Sequence, residues 1–213
     1  MQNYDLSLYL VTDRGYLNKL TLAELVEEAI AGGVTAIQLR EKKCSTREFI
    51  EQAQQINKIV QDKNIPLIIN DRIDIALAIN AAGVHLGQND MPVKIARKIL
   101  GRDSIIGFSV ENMAQLEEAQ NMDVDYLGLS PLFTTQTKPE LKKEWGIEGL
   151  KMASNKSSHK IVAIGRIDDN NAAKVIKSGA DGIAVVSAIC ADQNPREAAA
   201  KLLKEIQNAR ENK

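Results

Sequence analysis

Three cations and two carboxylates stand where they could handle a phosphorylated substrate. Arg40, Lys42 and Lys138 each lie just beyond a short apolar run, among hydroxyl and amide donors. A guanidinium forks onto two oxygens and an ammonium acts as a mobile point charge, so three such cations together suit a diphosphate. Asp71 and Asp90 follow two successive apolar runs in the same way. Adjacent strands lie ~4.8 Å apart, so carboxylates at neighbouring strand ends can share one hard cation. Mg2+ is the natural one, because it takes one or two carboxylates and fills its shell with water and substrate phosphates. Each aspartate also has a plainer reading as a helix cap: Asp71 precedes a helical stretch, and Asp90 sits two residues before Pro92. The two histidines offer less. His85 lies inside an apolar run and reads as a hydrogen-bonded interior residue rather than a base, and His159 reads as a solvated loop residue. No Ser–His–Asp or Cys–His constellation can be argued.

Around these residues, short apolar runs alternate with stretches of helical period. Strands are expected at Leu6–Thr12, Ala36–Arg40, Pro66–Asn70, Gly83–Gly87, Ile105–Val110, Tyr126–Pro131, Lys160–Gly165 and Gly182–Ser187. Helices are expected at Leu22–Ala31, Thr46–Gln61, Ile73–Asn80, Val93–Leu100, Ala114–Asn121, Ile147–Ala153, Asp169–Lys177 and Pro195–Arg210. Glycine just before a strand, as at Gly32-Gly33, Gly83 and Gly179, supplies the left-handed residue that ends a helix. Eight such units make an α/β protein, a single (β/α)8 TIM barrel spanning residues 1–213, with a doubly wound sheet as the competing fold. A barrel of this kind builds its active site at the carboxyl ends of its strands, which is where the polar residues above collect. The ends of strands 7 and 8, at Gly165 and Ser187, suggest a second anion site, since loop amides and a helix N-terminus bind phosphate there. The segment from Phe133 to Gly146, which holds the chain's only tryptophan, Trp145, is long enough to serve as a lid.

Composition narrows the rest. Hydrophobic residues are 44% of the chain and aromatics only 4%, a mix suited to a two-sided parallel sheet. With 27 basic and 28 acidic residues the net charge is −1, so no global field draws in nucleic acid or an anionic membrane, and any anion must be held locally. Cys44 and Cys190 match no metal spacing and read as free thiols in a reducing compartment. With no signal-like start and no long apolar stretch, a cytoplasmic protein is expected.

In order along the chain, several segments resemble the thiamine-phosphate synthase family. They are Tyr9–Asp13, Gly33–Lys42, Pro66–Arg72, Gly83–Gln88, Asp90, Ile106–Ser109, Tyr126–Gly128, Thr135–Pro139 and Gly182–Ile189. The family is a (β/α)8 barrel that joins a pyrimidine diphosphate to a thiazole phosphate with Mg2+. The resemblance implies that Gln38, Leu39, Arg40, Glu41, Lys42, Asn70, Ser109 and Lys138 hold the pyrimidine diphosphate, with Arg40, Lys42, Ser109 and Lys138 catalytic. It implies Asp71 and Asp90 as metal ligands. It implies that Thr135, Gln136, Thr137, Gly165, Arg166, Val186 and Ser187 hold the thiazole phosphate. The partners are then small molecules, not nucleic acid or membrane, and a homo-oligomer is compatible with the pattern.

Three positions depart from the family. Gly165-Arg166 stands where the family has Gly-Gly, Ser130 stands before Pro131 in place of glycine, and Thr134 replaces a second proline. Two alternative functions are a thiazole tautomerase, which needs neither diphosphate nor metal, and a catalytically silent barrel that binds a phosphorylated ligand. Arg40, Lys42, Asp71, Asp90 and Lys138 would be idle in a tautomerase.

Overall fold

Eight parallel strands hydrogen-bond side by side in chain order, and the last pairs with the first, closing a barrel. The structure is a computed structural model and describes residues 4–17, 19–134 and 144–211. The strands are β1 (Leu8–Val11), β2 (Ala36–Leu39), β3 (Leu67–Asn70), β4 (Gly83–Leu86), β5 (Ile105–Val110), β6 (Tyr126–Leu129), β7 (Lys160–Ile164) and β8 (Gly182–Val185). Between and after them come α1 (Leu22–Ala31), α2 (Thr46–Gln61), α3 (Ile73–Ile79), α4 (Val93–Leu100), α5 (Met113–Ala119), α6 (Gly146–Lys156), α7 (Ala172–Lys177), α8 (Ser187–Cys190) and α9 (Pro195–Glu211). All eight expected strands form, and the doubly wound alternative is excluded by closure. Two short pieces differ from the expectation. A 3-10 turn covers Arg14–Tyr16, and Ser187, read from sequence as the end of strand 8, instead opens α8. Four residues are too few to show a helical period, so nothing in the sequence marks α8.

Local chemistry starts and stops the helices. At α1, Thr21 Oγ1 accepts the Glu24 N–H at 3.2 Å while Glu24 Oε2 accepts the Thr21 N–H at 2.8 Å. Ser45 and Glu48 repeat that reciprocal cap at α2. Each pair satisfies two backbone donors that the first turn leaves without partners. Asn80, in left-handed backbone with φ 52°, ends α3.

Alternation along each strand divides the core in two. Leu8, Leu10, Ile37, Leu39, Ile69, Val84, Phe108 and Leu127 point outward into the layer shared with the helices. Tyr9, Val11, Ala36, Ile68, Ile105, Tyr126, Val162 and Ala184 point inward. At the amino end, carboxylates fasten the strands: Asp125 Oδ2 accepts the Ile106 N–H at 2.8 Å and an Arg97 N–H at 2.7 Å, and Asp181 Oδ2 accepts the Ile161 N–H at 2.7 Å. Stability devices thus sit at one end, leaving the carboxyl end for chemistry.

Candidate active site

Toward the carboxyl rim the inward positions turn polar. Gln38 Nε2 donates to Tyr9 Oη at 3.1 Å, and Tyr9 Oη lies 2.9 Å from Tyr126 Oη. Tyr126 Oη lies 2.9 Å from His85 Nδ1, and His85 Nε2 lies 2.8 Å from Ser109 Oγ. The chain crosses the barrel from β2 to β5, and its two ends, Gln38 and Ser109, are buried residues expected in the pyrimidine site. His85 is the hydrogen-bonded interior residue that its apolar setting implied. Burial raises the Tyr126 hydroxyl well above the ordinary phenol range, and that of Tyr9 also, so both stay protonated. Gly107 makes the chain fit: a Cβ there would stand 2.1 Å from Tyr126 Cζ and 2.5 Å from His85 Nδ1. Glycine within a strand marks such close approach. It was the one sequence signal for Tyr9 and Tyr126, which otherwise read as plain core.

Above this layer lies the charged rim. Asn70 ends β3 with its Nδ2 buried and without a hydrogen-bond partner. An orphaned buried donor costs about 1–3 kcal/mol, so it calls for an acceptor from a ligand. Asp71 follows in left-handed backbone, φ 61°, with its N–H held by the His85 carbonyl at 2.9 Å. Asp90 Oδ2 accepts the Gly87 N–H at 2.7 Å. Neither aspartate caps a helix: the N-caps of α3 and α4 are Arg72 and Pro92, and neither makes a side-chain cap. The plainer reading of both therefore fails. Burial holds the Asp90 carboxyl above the usual carboxylate range, and the neighbouring Asp71 pushes it the same way. A carboxyl raised in this way, with a second carboxylate beside it, favours a cation at the pair.

The cations expected from sequence take separate partners. The Lys42 ammonium donates to Asp71 Oδ2. Arg40 reaches Asp13 Oδ2 at 3.3 Å, and its N–H is held by Thr12 Oγ1 at 3.1 Å. Glu41 turns aside to Arg14, with Nη2 at 2.8 Å. Leu39 points into the outer layer, so only its backbone faces the rim. Lys138, with Thr135, Gln136 and Thr137, lies outside the described residues.

On the opposite side of the rim, Gly165 has φ 121°, and a Cβ there would come within 2.9 Å of the Leu132 nitrogen. Its lack of a side chain brings the loops after β6 and β7 together, with the Leu132 N–H on the Ile164 carbonyl at 2.7 Å. Arg166 is exposed and left-handed, φ 51°. After β8, Val186 is half-buried and Ser187 is exposed as the first residue of α8. His159 is corrected by the structure: it is half-buried, with Nε2 3.2 Å from the Ala119 carbonyl, rather than solvated. Cys44 and Cys190 are free thiols. Among the described residues no helix is long and apolar enough to cross a membrane, and no three His, Cys, Asp or Glu side chains group as a metal cage.

Residues 8–189 match the model of a family described as thiamine monophosphate synthase. A thiamine-phosphate synthase from Vibrio campbellii is 50% identical over 196 residues, covering 92% of this chain and 96% of that protein. One from Clostridium novyi is 52% identical over 182 residues, covering 85% of this chain and 89% of that protein. The solved thiamine phosphate pyrophosphorylase from Pyrococcus furiosus superimposes with a TM-score of 0.88 at 37% identity, over 96% of each chain. The matched span carries the barrel, the aspartate pair and both halves of the rim, and the chain belongs to the thiamine monophosphate synthase family.

Proposed function

We propose that this chain is a thiamine-phosphate synthase. It joins 4-amino-2-methyl-5-(diphosphooxymethyl)pyrimidine to thiazole phosphate, or to its carboxylated form, and releases diphosphate. The observation that carries the reading is the rim itself. An unpartnered buried amide nitrogen at Asn70 precedes Asp71, whose carboxylate raises that of Asp90, with Lys42 already drawn to Asp71.

In the reaction the pyrimidine methylene C–O bond breaks and its electron pair leaves with the diphosphate. The thiazole nitrogen lone pair forms the new C–N bond. No proton need be abstracted, which agrees with a His85 engaged at both ring nitrogens. Asp71 and Asp90 would hold Mg2+: their hard oxygen donors and electrostatic need for a cation fit that ion. When bound, it supplies charge neutralisation for the leaving diphosphate. Arg40, Lys42 and Lys138 add fixed positive charge to the same group as its own charge grows. Asn70 donates to the pyrimidine diphosphate, Gln38 and Ser109 orient it, and Leu39 and Glu41 contribute through the backbone of the segment they share with Arg40 and Lys42. Thr135, Gln136, Thr137, Gly165, Arg166, Val186 and Ser187 hold the thiazole phosphate, so that the nucleophile is in line. The enzyme works in the cytoplasm on small molecules.

The test is diphosphate release on mixing both substrates, with and without a chelator. Release that needs both substrates and stops with chelator is the expected result. Conversion of the thiazole phosphate alone would mark a tautomerase, and binding without release would mark a silent receptor.

A further inference from the structure

The buried hydrogen-bond chain under the rim has a direction. An amide nitrogen only donates, so Tyr9 Oη accepts from Gln38 Nε2, and Tyr126 Oη, 2.9 Å away, is placed to take the Tyr9 hydrogen. A Tyr126 that accepts there has its own hydrogen to give to His85 Nδ1, 2.9 Å away. That nitrogen is then the bare one of the imidazole, and the ring hydrogen sits on Nε2, facing Ser109 Oγ at 2.8 Å. Ser109, already an acceptor, has its hydroxyl hydrogen left to give outward. At the other end Gln38 keeps its amide oxygen as an acceptor.

We propose that Tyr9, Tyr126 and His85 are positioning residues. They form a one-way relay that presents Gln38 as a hydrogen-bond acceptor and Ser109 as a donor to the pyrimidine diphosphate. This rests on the function proposed above. An aminopyrimidine diphosphate offers the complementary set, an exocyclic amine that donates beside ring nitrogens and phosphate oxygens that accept. Reversing the relay would reverse both ends together, because each hydroxyl has a single hydrogen to give. The fold invests in this arrangement: Tyr9 is 1% exposed, Tyr126 is not exposed at all, and Gly107 supplies the space that both rings of the Tyr126–His85 pair need. Chained hydrogen bonds in a low-dielectric interior polarise one another, so fixing one member fixes the next.

The test has two arms. Nitrogen-15 NMR of histidine in the protein without ligands should show His85 as the neutral Nε2–H tautomer. In Tyr126→Phe, which takes away the donor to Nδ1, that signal should shift toward a tautomer mixture. The same variant should raise the KM for the pyrimidine diphosphate about tenfold, as loss of an oriented hydrogen bond does. Its kcat should fall less than that, and its KM for thiazole phosphate should stay within about twofold of wild type. An Nδ1–H or charged His85 in the wild-type protein overturns the relay, and so does an unchanged pyrimidine KM in the variant. Should Tyr126→Phe not fold, Tyr9→Phe interrupts the same chain one link away, with the same expected split, and the wild-type spectrum decides the direction without any variant. If the wild-type enzyme releases no diphosphate, the proposed function fails while the tautomer result still stands or falls by itself.

Discussion

Lys42 and Asp71, 29 residues apart and on the loops of neighbouring strands, are joined by an ion pair. The ammonium occupies the carboxylate that is proposed to face Mg2+, while its own proposed target is the substrate diphosphate. One side chain thus has two negative groups to choose between, according to what is bound.

Lys42→Met should therefore separate the two roles. The pair is half exposed, and exposed pairs contribute about 0–1 kcal/mol, so removing the competing ammonium should tighten Mg2+ by no more than about fivefold. Affinity for the pyrimidine diphosphate should fall by tenfold or more. Calorimetric titration of Mg2+, then of the diphosphate, reads both. Weaker Mg2+ binding in the variant would show that Lys42 supports the aspartates rather than competing with them.

Asp71→Asn and Asp90→Asn should each cut turnover by about a hundredfold or more, in the range of losing a preorganised charge in a transition state. Asparagine suits position 71 because it tolerates the left-handed backbone that Asp71 adopts. Neither residue caps a helix, so thermal melts should move little. Full turnover in both variants would remove the metal assignment.

Arg166→Gly should raise stability while weakening the thiazole phosphate. A residue with a side chain at φ 51° carries strain of about 1 kcal/mol that glycine relieves, less what glycine's freedom costs in the unfolded chain. Loss of a guanidinium clamp on phosphate would weaken the ligand by ~1.5–3 kcal/mol. Melting temperature and ligand affinity should thus move in opposite directions. A variant that gains stability and keeps its affinity would mean that the arginine folds away over the rim.

Gly107→Ala should cost about 1–3 kcal/mol, the usual range for an overpacked core, because the added methyl meets Tyr126 and His85 far inside contact distance. Thermal unfolding measures it. A neutral substitution would mean that the two rings can shift without loss.

Much of this was legible in the sequence, for reasons that differ by element. Parallel barrel strands are buried on both faces, so runs such as Leu67–Asn70 stand out against their helices, and the rim residues follow from where each run ends. What stayed hidden depends on rotation and backbone sign. Nothing in the order of residues shows that Tyr9 and Tyr126 touch across the barrel, because that contact is made by closure and not by neighbourhood. The left-handed φ at Asp71 and Arg166 is equally silent, since neither is a glycine. Gly107, a glycine inside a strand, is the one letter there that asks for space.

The alternation of inward and outward side chains has a consequence for how such a protein can change. Gln38 and Leu39 are consecutive, yet one faces the polar chain inside the barrel and the other the helices; Ser109 and Phe108 repeat the split. Along each strand, mutational load falls on two independent ledgers at every second letter. Exchanges at the inward letters beside the rim, such as Gln38 and Ser109, act first on the polar chain, whereas exchanges at the outward letters act first on the packing against the helices. Neighbours in the text of the gene are, in this barrel, strangers in the protein.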